Sequence, residues 1–174
     1  MSTLYIERSV SDGRRGDWVE SLALDGVDRI VVGTGPGSFA GIRSALAFAQ
    51  GYALGRPCEV LGLPSACALA GGGPLAVVGD ARRGLFWVAL FDGFQQERDI
   101  FQVAEAELVG AVPTDHAVIT PDALRIDSFL RSAFGTRYLG GRMPTEDGLR
   151  RFAEANHAAL RLEPLPMYLN PAVR

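Results

Sequence analysis

A strand, a glycine-rich turn and an apolar helix follow one another between Ile30 and Gly55, and this succession constrains the fold more than any other feature. The segment opens with three β-branched apolar residues, which are typical of a short buried strand. The turn from Gly33 to Gly37 places three glycines around Pro36. Glycine permits the positive φ angles that such a turn needs. A strand joined this tightly to a helix indicates an α/β fold.

The helix that follows, predicted from Phe39 to Leu54, is apolar on nearly all sides. Ser38 is expected to cap its first turn and Gly55 to end it. A helix of this kind must be covered on more than one face, so we expect one face on the sheet and another on a partner molecule. The alternative is a helix buried entirely within its own domain. The predicted partner-binding residues are Ile42, Ala45, Leu46, Ala49, Tyr52 and Ala53.

The glycine-rich turn does not match the phosphate-binding and nucleophile motifs that it superficially resembles. A P-loop ends in Gly-Lys-Ser/Thr, and the chain contains no lysine. The dinucleotide fingerprint requires a glycine where Ser38 stands. The hydrolase elbow requires glycines two residues either side of that serine, where the chain has Pro36 and Ala40. We therefore expect these glycines to serve backbone geometry and close packing rather than chemistry.

Three stretches of the chain resemble the bacterial TsaB (YeaZ) family, which older classifications group with M22 glycoprotease-like proteins. The segment Gly33–Arg43 is similar to the signature Gly-x-Gly-Pro-Gly-Ser-Phe-Thr-Gly-Leu-Arg. Gly79–Gly84 resembles the family's Asp-Ala-Arg-Arg hairpin, and Pro166–Leu169 resembles its closing Pro-x-Tyr-Leu-Arg, with Asn170 in place of the arginine. The matching motif residues are Gly35, Pro36, Gly37, Ser38, Gly41, Arg43, Asp80, Arg82 and Arg83.

This resemblance implies an α/β fold of the actin-like (ASKHA, ribonuclease H-like) type with two lobes. It also implies a non-catalytic scaffold for tRNA threonylcarbamoyladenosine modification, which pairs with a TsaD-like catalytic subunit and activates it. A TsaE-like ATPase is a further implied partner, and ATP and Mg²⁺ would act at the complex. The chain itself would require no cofactor, would meet tRNA only indirectly, and would form a homodimer when alone.

The N-terminal part departs from the family pattern. A strand is predicted from Leu4 to Val10 and a short helix from Asp17 to Leu24, but neither matches the family's opening strand with its Asp-Thr-Ser. We therefore expect a shortened N-terminus and an incomplete first lobe. In the actin-like superfamily an aspartate near that strand handles nucleotide and metal, so independent ATP chemistry is not expected.

Two other functions stay open at this point. The first is a stand-alone actin-like nucleotide-binding hydrolase or transferase, with the nucleotide near Gly35 to Ser38. The second is an inactive TsaB-like remnant. The arginines also leave two interpretations open: Arg43, Arg82 and Arg83 bind a phosphate or carboxylate, or they pair locally and project from a hairpin. Asp80 is expected to accept backbone N–H groups in its own turn.

A linker at Gly71–Pro74 predicts a first lobe over residues 1–72 and a second lobe over 73–174. The second lobe is predicted as a meander followed by helices, the last of them capped by Thr145. The two histidines, His116 and His157, belong to no metal-binding spacing, so we predict no catalytic and no metal-binding residues. A net charge of −3 and the absence of a leader or membrane span predict a cytoplasmic protein without membrane partners.

Overall fold

The computed structural model describes residues 2–10, 22–156 and 164–169. Within these ranges, nine strands and four α-helices form two compact units. The first unit contains residues 2–68, 144–156 and 164–167 of the described ranges. The second contains residues 69–143 and 168–169. The predicted α/β class is confirmed, whereas the segment after residue 143, which we had assigned to the second lobe, lies in the first unit through residue 167.

A parallel three-stranded sheet and one long helix form the centre of the first unit. The strands are β1 (Ser2–Ile6), β2 (Val27–Gly33) and β3 (Glu59–Leu63), in the order β1-β2-β3. The helix α1 (Phe39–Ala53) follows β2 and packs on the sheet. Its apolar contacts with β2 form the core, because Ile30 and three other residues there are fully buried.

The opening strand predicted from Leu4 to Val10 is present but runs from Ser2 to Ile6. β1 pairs in parallel with β2, with Leu4 opposite Ile30. A carboxylate, Glu7, follows the strand directly. The predicted helix from Asp17 to Leu24 lies largely outside the described residues, and the three of its residues that are described are not helical.

The last helix, α4 (Glu146–Ala155), packs on the first unit. Thr145 caps it as predicted, because its side chain accepts the N–H of Gly148 at 3.1 Å. Gly148 lies against the backbone of Ala68, in the short 3₁₀ helix Ser65–Leu69. A close backbone approach of this kind holds α4 on the first unit although it follows the second unit in the chain.

The second unit is a mixed sheet of six strands. β4 (Leu75–Arg82) and β5 (Leu85–Asp92) form an antiparallel hairpin, and β8 (Ala117–Thr120) and β9 (Tyr138–Gly141) add to β4 in parallel. Two short strands, β6 (Gln95–Gln96) and β7 (Phe101–Ala104), both pair with β5.

Two helices cover one face of this sheet. α2 (Leu108–Ala111) is short, and α3 (Ala123–Phe134) buries Ile126, Leu130 and Phe134 on one face. Their core residues pack against inward-facing residues of β4 and β5 and are almost completely buried. No helix among the described residues is long and apolar enough to cross a membrane.

Candidate functional site

Hydrogen bonds within the chain close the turn between β2 and α1. The N–H of Thr34 donates to the carbonyl oxygen of Leu63 at 2.8 Å. The N–H of Gly35 donates to Oγ of Ser65 at 3.0 Å. The peptide bond between Gly35 and Pro36 is cis, and proline has no N–H to offer. The turn is therefore tied to the end of β3.

The segment that follows β1 lies directly on the glycines of the turn. A β-carbon added at Gly33 would lie 2.7 Å from Cδ of Glu7. One added at Gly37 would lie 2.7 Å from Cβ of Ser9. Since β-carbons essentially never approach other heavy atoms this closely, a side chain at Gly33 would displace the carboxyl group of Glu7, and one at Gly37 would clash with the backbone of Ser9.

The segment that follows β1 also contacts the start of α1. The N–H of Ser38 donates to the carbonyl oxygen of Ser9. Oγ of Ser38 accepts the N–H of Gly41 at 3.4 Å. A β-carbon at Gly41 would lie 3.1 Å from the carbonyl carbon of Arg8 and closer still to its oxygen. Because the chain itself uses these N–H groups, the turn is not an open cradle for phosphate.

Glu7 gives this region a buried carboxyl group. Its Oε1 accepts the N–H of Ser9 at 2.6 Å, and its Oε2 has no hydrogen-bond partner among the described residues. Only 8% of the residue is exposed. Burial raises the pKa of the Glu7 carboxyl above its ordinary value, and hydrogen bonds from Ser9 oppose that effect. A second carboxyl or a phosphate would be repelled here whenever Glu7 is ionised.

The inner face of α1 corrects the predicted partner-binding surface. Ile42, Ala45, Leu46 and Ala49 are between 0% and 4% exposed and pack on β2. Tyr52 and Ala53, the other two predicted residues, are half-buried. The 3₁₀ helix Ser65–Leu69 is also largely buried. Four of the six residues that we predicted to bind a partner therefore face the chain's own sheet.

The outer face of α1 is a second surface of small residues. Ala40, Ser44, Ala47 and Gly51 are exposed and follow one another at intervals of four, three and four residues, so they form one stripe. The hydroxyl of Ser44 donates to the carbonyl oxygen of Gly41 at 2.9 Å, so it adds little polarity to the stripe. We call this set the outer stripe.

Apolar residues stand at both ends of the outer stripe. Phe39 is 55% exposed and Leu54 is 81% exposed. The guanidinium of Arg43 lies 4.0 Å from the centre of the Phe39 ring. Large exposed apolar side chains around a flat row of small residues are typical of a surface that another helix can approach closely.

The hairpin between β4 and β5 holds the other predicted motif residues. The N–H of Arg82 donates to Oδ1 of Asp80 at 2.7 Å, within the hairpin turn. The N–H of Asp80 donates to Asp122 at 2.9 Å, and Nε of Arg125 lies 3.0 Å from Oδ2 of Asp80. The side chains of Arg82 and Arg83 are exposed.

The remaining reactive side chains have structural surroundings. His116 is 4% exposed and lies between Asp115 at 2.9 Å and Glu97 at 3.1 Å. Cys67 is fully buried, and burial raises the pKa of its thiol. No group of three metal-ligating side chains occurs within residues 2–10, 22–156 and 164–169. His157 lies outside the described residues.

Sequence reasoning missed two parts of this site. The first is Glu7, which lies within the predicted strand Leu4–Val10 but was not identified as a site residue. The second is the C-terminal arm, whose Met167 donates its N–H to the carbonyl oxygen of Thr34 at 2.8 Å. The regular spacing of Gly33, Gly37 and Gly41 was the available signal, since glycines four apart permit a backbone to cross.

A comparison with models of protein families identifies the family of this chain. The family model described as TsaD, tRNA N6-adenosine threonylcarbamoyltransferase, matches residues 20–128, which is more than half of the chain. The chain belongs to the TsaD family. It is thus a member of a family concerned with tRNA modification, and the match includes both the glycine turn and the hairpin at Asp80.

Relatives of this TsaD-family chain are found among curated proteins and solved structures. The uncharacterized proteins Rv3421c of Mycobacterium tuberculosis and Mb3455c of Mycobacterium bovis are each 39% identical to it over 80 residues. These alignments cover 43% of the chain and only 37% of each relative.

The structural likeness covers nearly the whole chain. YeaZ from Pseudomonas aeruginosa has a TM-score of 0.74 at 18% identity, over 96% of this chain and 100% of that one. A protein with similarity to peptidase YEAZ, also from Pseudomonas aeruginosa, has a TM-score of 0.72 at 18% identity, over 98% and 100% of the two chains. The YeaZ-type, actin-like fold implied by the sequence motifs is confirmed.

Proposed function

We propose that this chain is a non-catalytic scaffold subunit for tRNA threonylcarbamoyladenosine modification. In this proposal it pairs with a TsaD-like catalytic subunit and activates it, with ATP and Mg²⁺ acting at the complex and a TsaE-like ATPase as a further partner. Its membership of the TsaD family and its YeaZ-type fold support a role in tRNA modification. The threonylcarbamoyl step and the pairing are the parts that we infer.

The single observation that carries the pairing is the outer stripe of α1. Ala40, Ala47 and Gly51 leave the helix backbone open to close approach, while Leu54 supplies apolar area at one end. A catalytic subunit of the same fold family offers helices of its own, and helices pack closely where small residues line the contact. When that subunit is missing, the outer stripes of two copies can pair about a two-fold axis.

The architecture of the turn supports a scaffold over an enzyme. The stand-alone hydrolase or transferase requires a nucleotide near Gly35 to Ser38. There the N–H groups of Gly35 and Ser38 are already bonded to Ser65 and Ser9. Calorimetry with ATP and Mg²⁺ on the isolated chain tests this alternative, and micromolar binding would favour it.

The pairing is tested by placing a charge on the outer stripe. Ala47→Arg puts a long cation on an exposed position, so the fold should persist. An unpaired charge buried in a helix contact costs several kcal/mol, so co-purification with the TsaD-like subunit should fall at least tenfold. The variant should also be monomeric in light scattering.

A matched variant controls for charge alone. Leu124 of α3 is completely exposed, and Leu124→Arg adds the same charge to a helix of the second unit. It should co-purify as well as the unmodified chain. If Ala47→Arg still pairs while its unfolding temperature is unchanged, the outer stripe is not the contact. If pairing occurs but the chain fails to rescue a strain depleted of its own TsaB, the remnant interpretation replaces the scaffold.

A further inference from the structure

The hairpin tip at Arg82 and Arg83 has an unusual backbone conformation. Among the described non-glycine residues, only these two have positive φ angles, of 70° and 57°, and Gly84 follows at 75°. In this left-handed region the β-carbon of an L-residue crowds the following carbonyl oxygen. Glycine or asparagine would adopt it with much less strain. Backbone strain of this kind clusters at sites of function.

The surrounding side chains hold the tip in this conformation. Oδ1 of Asp80 accepts the N–H of Arg82 at 2.7 Å, and the N–H of Asp80 is held by Asp122 at 2.9 Å. Arg125 bridges the two carboxylates. These interactions fix the base of the hairpin, and the two arginines lie at its end with their side chains exposed.

The guanidinium groups at the tip are available to an anion. The side chain of Arg82 is 64% exposed and lies 3.5 Å from Oδ2 of Asp80, a long ion pair. Arg83 is exposed, and its side chain makes no hydrogen bond or ion pair with a described residue. Asp80 is already engaged by Arg125, so it neutralises Arg82 only in part.

A further arginine lies at the same edge of the sheet. β4, β8 and β9 are parallel, so their carboxyl ends share one edge. Arg142 follows β9 there, and its N–H donates to the carbonyl oxygen of Thr120 at 2.8 Å. Ligands of open α/β sheets bind at this edge. The edge also contains the carboxylates of Asp80, Asp122 and Glu105, and Glu105 lies beside the tip, because its N–H donates to the carbonyl oxygen of Gly84 at 3.2 Å. The four arginines of this edge outnumber these three carboxylates by one.

We infer that Arg82 and Arg83 form a contact for the phosphate backbone of the RNA that the complex modifies. The inference rests on the proposed function, because that function brings RNA to the assembly. It differs from the expectation that this chain meets tRNA only indirectly. Guanidinium groups bind phosphate oxygens through paired N–H donors, and a rigid tip loses little conformational entropy on binding. Phosphate contacts of this type position an RNA without reading its sequence.

Three variants at one position separate charge from strain. Arg83→Gln removes the charge and keeps the strained backbone, Arg83→Lys keeps both, and Arg83→Asn removes the charge and relieves the strain. The full chain is titrated with an anticodon stem–loop RNA while the Arg Nε–Hε resonances are followed by NMR. The resonances of Arg82 and Arg83 should shift, Arg83→Gln should bind several-fold more weakly, and the slope of log K against log salt should fall by about one.

Stability provides the second readout. Arg83→Asn should bind RNA as weakly as Arg83→Gln. It should also raise the unfolding midpoint by about 2–4 °C, since asparagine adopts the left-handed backbone conformation with less strain than arginine. Arg83→Lys should bind RNA nearly as well as the unmodified chain. Arg131→Gln is the matched control for charge, since Arg131 is 65% exposed in the same unit, and it should leave RNA binding unchanged although it loses the ion pair with Asp127 at 3.2 Å.

The inference is overturned if the tip resonances do not move with RNA, if Arg83→Gln binds RNA unchanged, or if a polyglutamate peptide competes as well as RNA. The last result would identify an acidic protein as the ligand. Co-purification with the TsaD-like subunit is measured separately. Arg83→Gln should retain this co-purification. RNA binding tests the hairpin tip and co-purification tests the outer stripe, so either proposal can fail without the other.

Discussion

Two of the glycines inside helices of the first unit, Gly51 and Gly148, have opposite surroundings, and they provide a test of how α4 packs. Gly51 lies on α1, and an added β-carbon would meet no atom within 4 Å. Gly148 lies on α4, and an added β-carbon would sit 2.9 Å from the carbonyl carbon and 3.0 Å from Cα of Ala68, and closer still to its carbonyl oxygen. The perturbation is the same single methyl group at both positions.

The expected energies have opposite signs. Alanine is a better helix former than glycine by about 0.5–1 kcal/mol, so Gly51→Ala should stabilise the chain by that amount. Gly148→Ala gains the same propensity but must push α4 off the backbone of Ala68, which cannot rotate away as a side chain would. Overpacking of this kind costs about 1–3 kcal/mol. The net effect at Gly148 should be a loss of about 1–2 kcal/mol.

Thermal and urea unfolding measure both variants. For a chain of this size, about 1 kcal/mol moves the midpoint by about 2–4 °C, so the two variants should lie on opposite sides of the unmodified protein. An equal rise in both midpoints would refute the close packing of α4 on Ala68, and with it the assignment of α4 to the first unit. A double variant should show additive effects, since no contact links the two glycines.

Two further predictions concern buried groups, one in each unit. Glu7→Gln removes a carboxyl group whose pKa is raised by burial, while the amide oxygen still accepts the N–H of Ser9. Because the folded pKa lies above the unfolded value, the protonated carboxyl group stabilises the fold at low pH, and that contribution is lost as pH rises through the folded pKa. Unfolding measured from pH 4 to 8 should therefore show no difference near pH 4 and a growing advantage for the Glu7→Gln variant, of about 1.4 kcal/mol for each pH unit by which the folded pKa exceeds the unfolded pKa. A pH-independent difference would contradict this prediction. Gly79→Ala would drive a β-carbon into the indole ring of Trp87, so it should lower stability by about 1–3 kcal/mol and shift the Trp87 indole N–H resonance; an unmoved resonance would show that the ring does not cover Gly79.

The sequence predicted the strand, the turn and the helix around Gly35 because each has a local cause. β-branched residues favour the strand, glycine permits the turn, and Ser38 caps the helix. The boundaries of α1 were predicted to within one residue, since Leu54 is its C-cap and Gly55 follows with φ of 77°. Features with a local physical cause can be inferred from neighbouring residues alone.

The face that α1 presents to its own sheet could not be inferred in this way. The helix has two stripes of small residues, one through Ala45 and Ala49 and another through Ala40 and Ala47. Both have helical spacing, and hydrophobic periodicity does not distinguish them. The choice depends on where β2 and β3 lie, which is a long-range property. The prediction selected the stripe with larger apolar neighbours, and those neighbours proved to be core residues.

Glu7 and α4 were misjudged for related reasons. Glu7 lies one residue past the end of β1, so the alternation of the strand does not determine its direction. α4 was assigned to the second lobe because it follows that lobe in the chain, although Gly148 marks a backbone contact with Ala68. In both cases the decisive neighbour lies far away in sequence, at Gly33 for Glu7 and at Ala68 for α4.

The two sheets differ at the edge where α/β proteins bind their ligands. In the first unit the carboxyl ends of β1, β2 and β3 meet the chain's own Glu7, Ser65 and Met167, and the N–H groups of Thr34, Gly35 and Ser38 are already bonded within the chain. In the second unit the corresponding edge ends in exposed arginines on a strained turn. The chain keeps two exposed surfaces, the outer stripe and the hairpin tip, that suit macromolecules. What fills the first edge therefore supports the scaffold that we propose as much as what the chain leaves exposed.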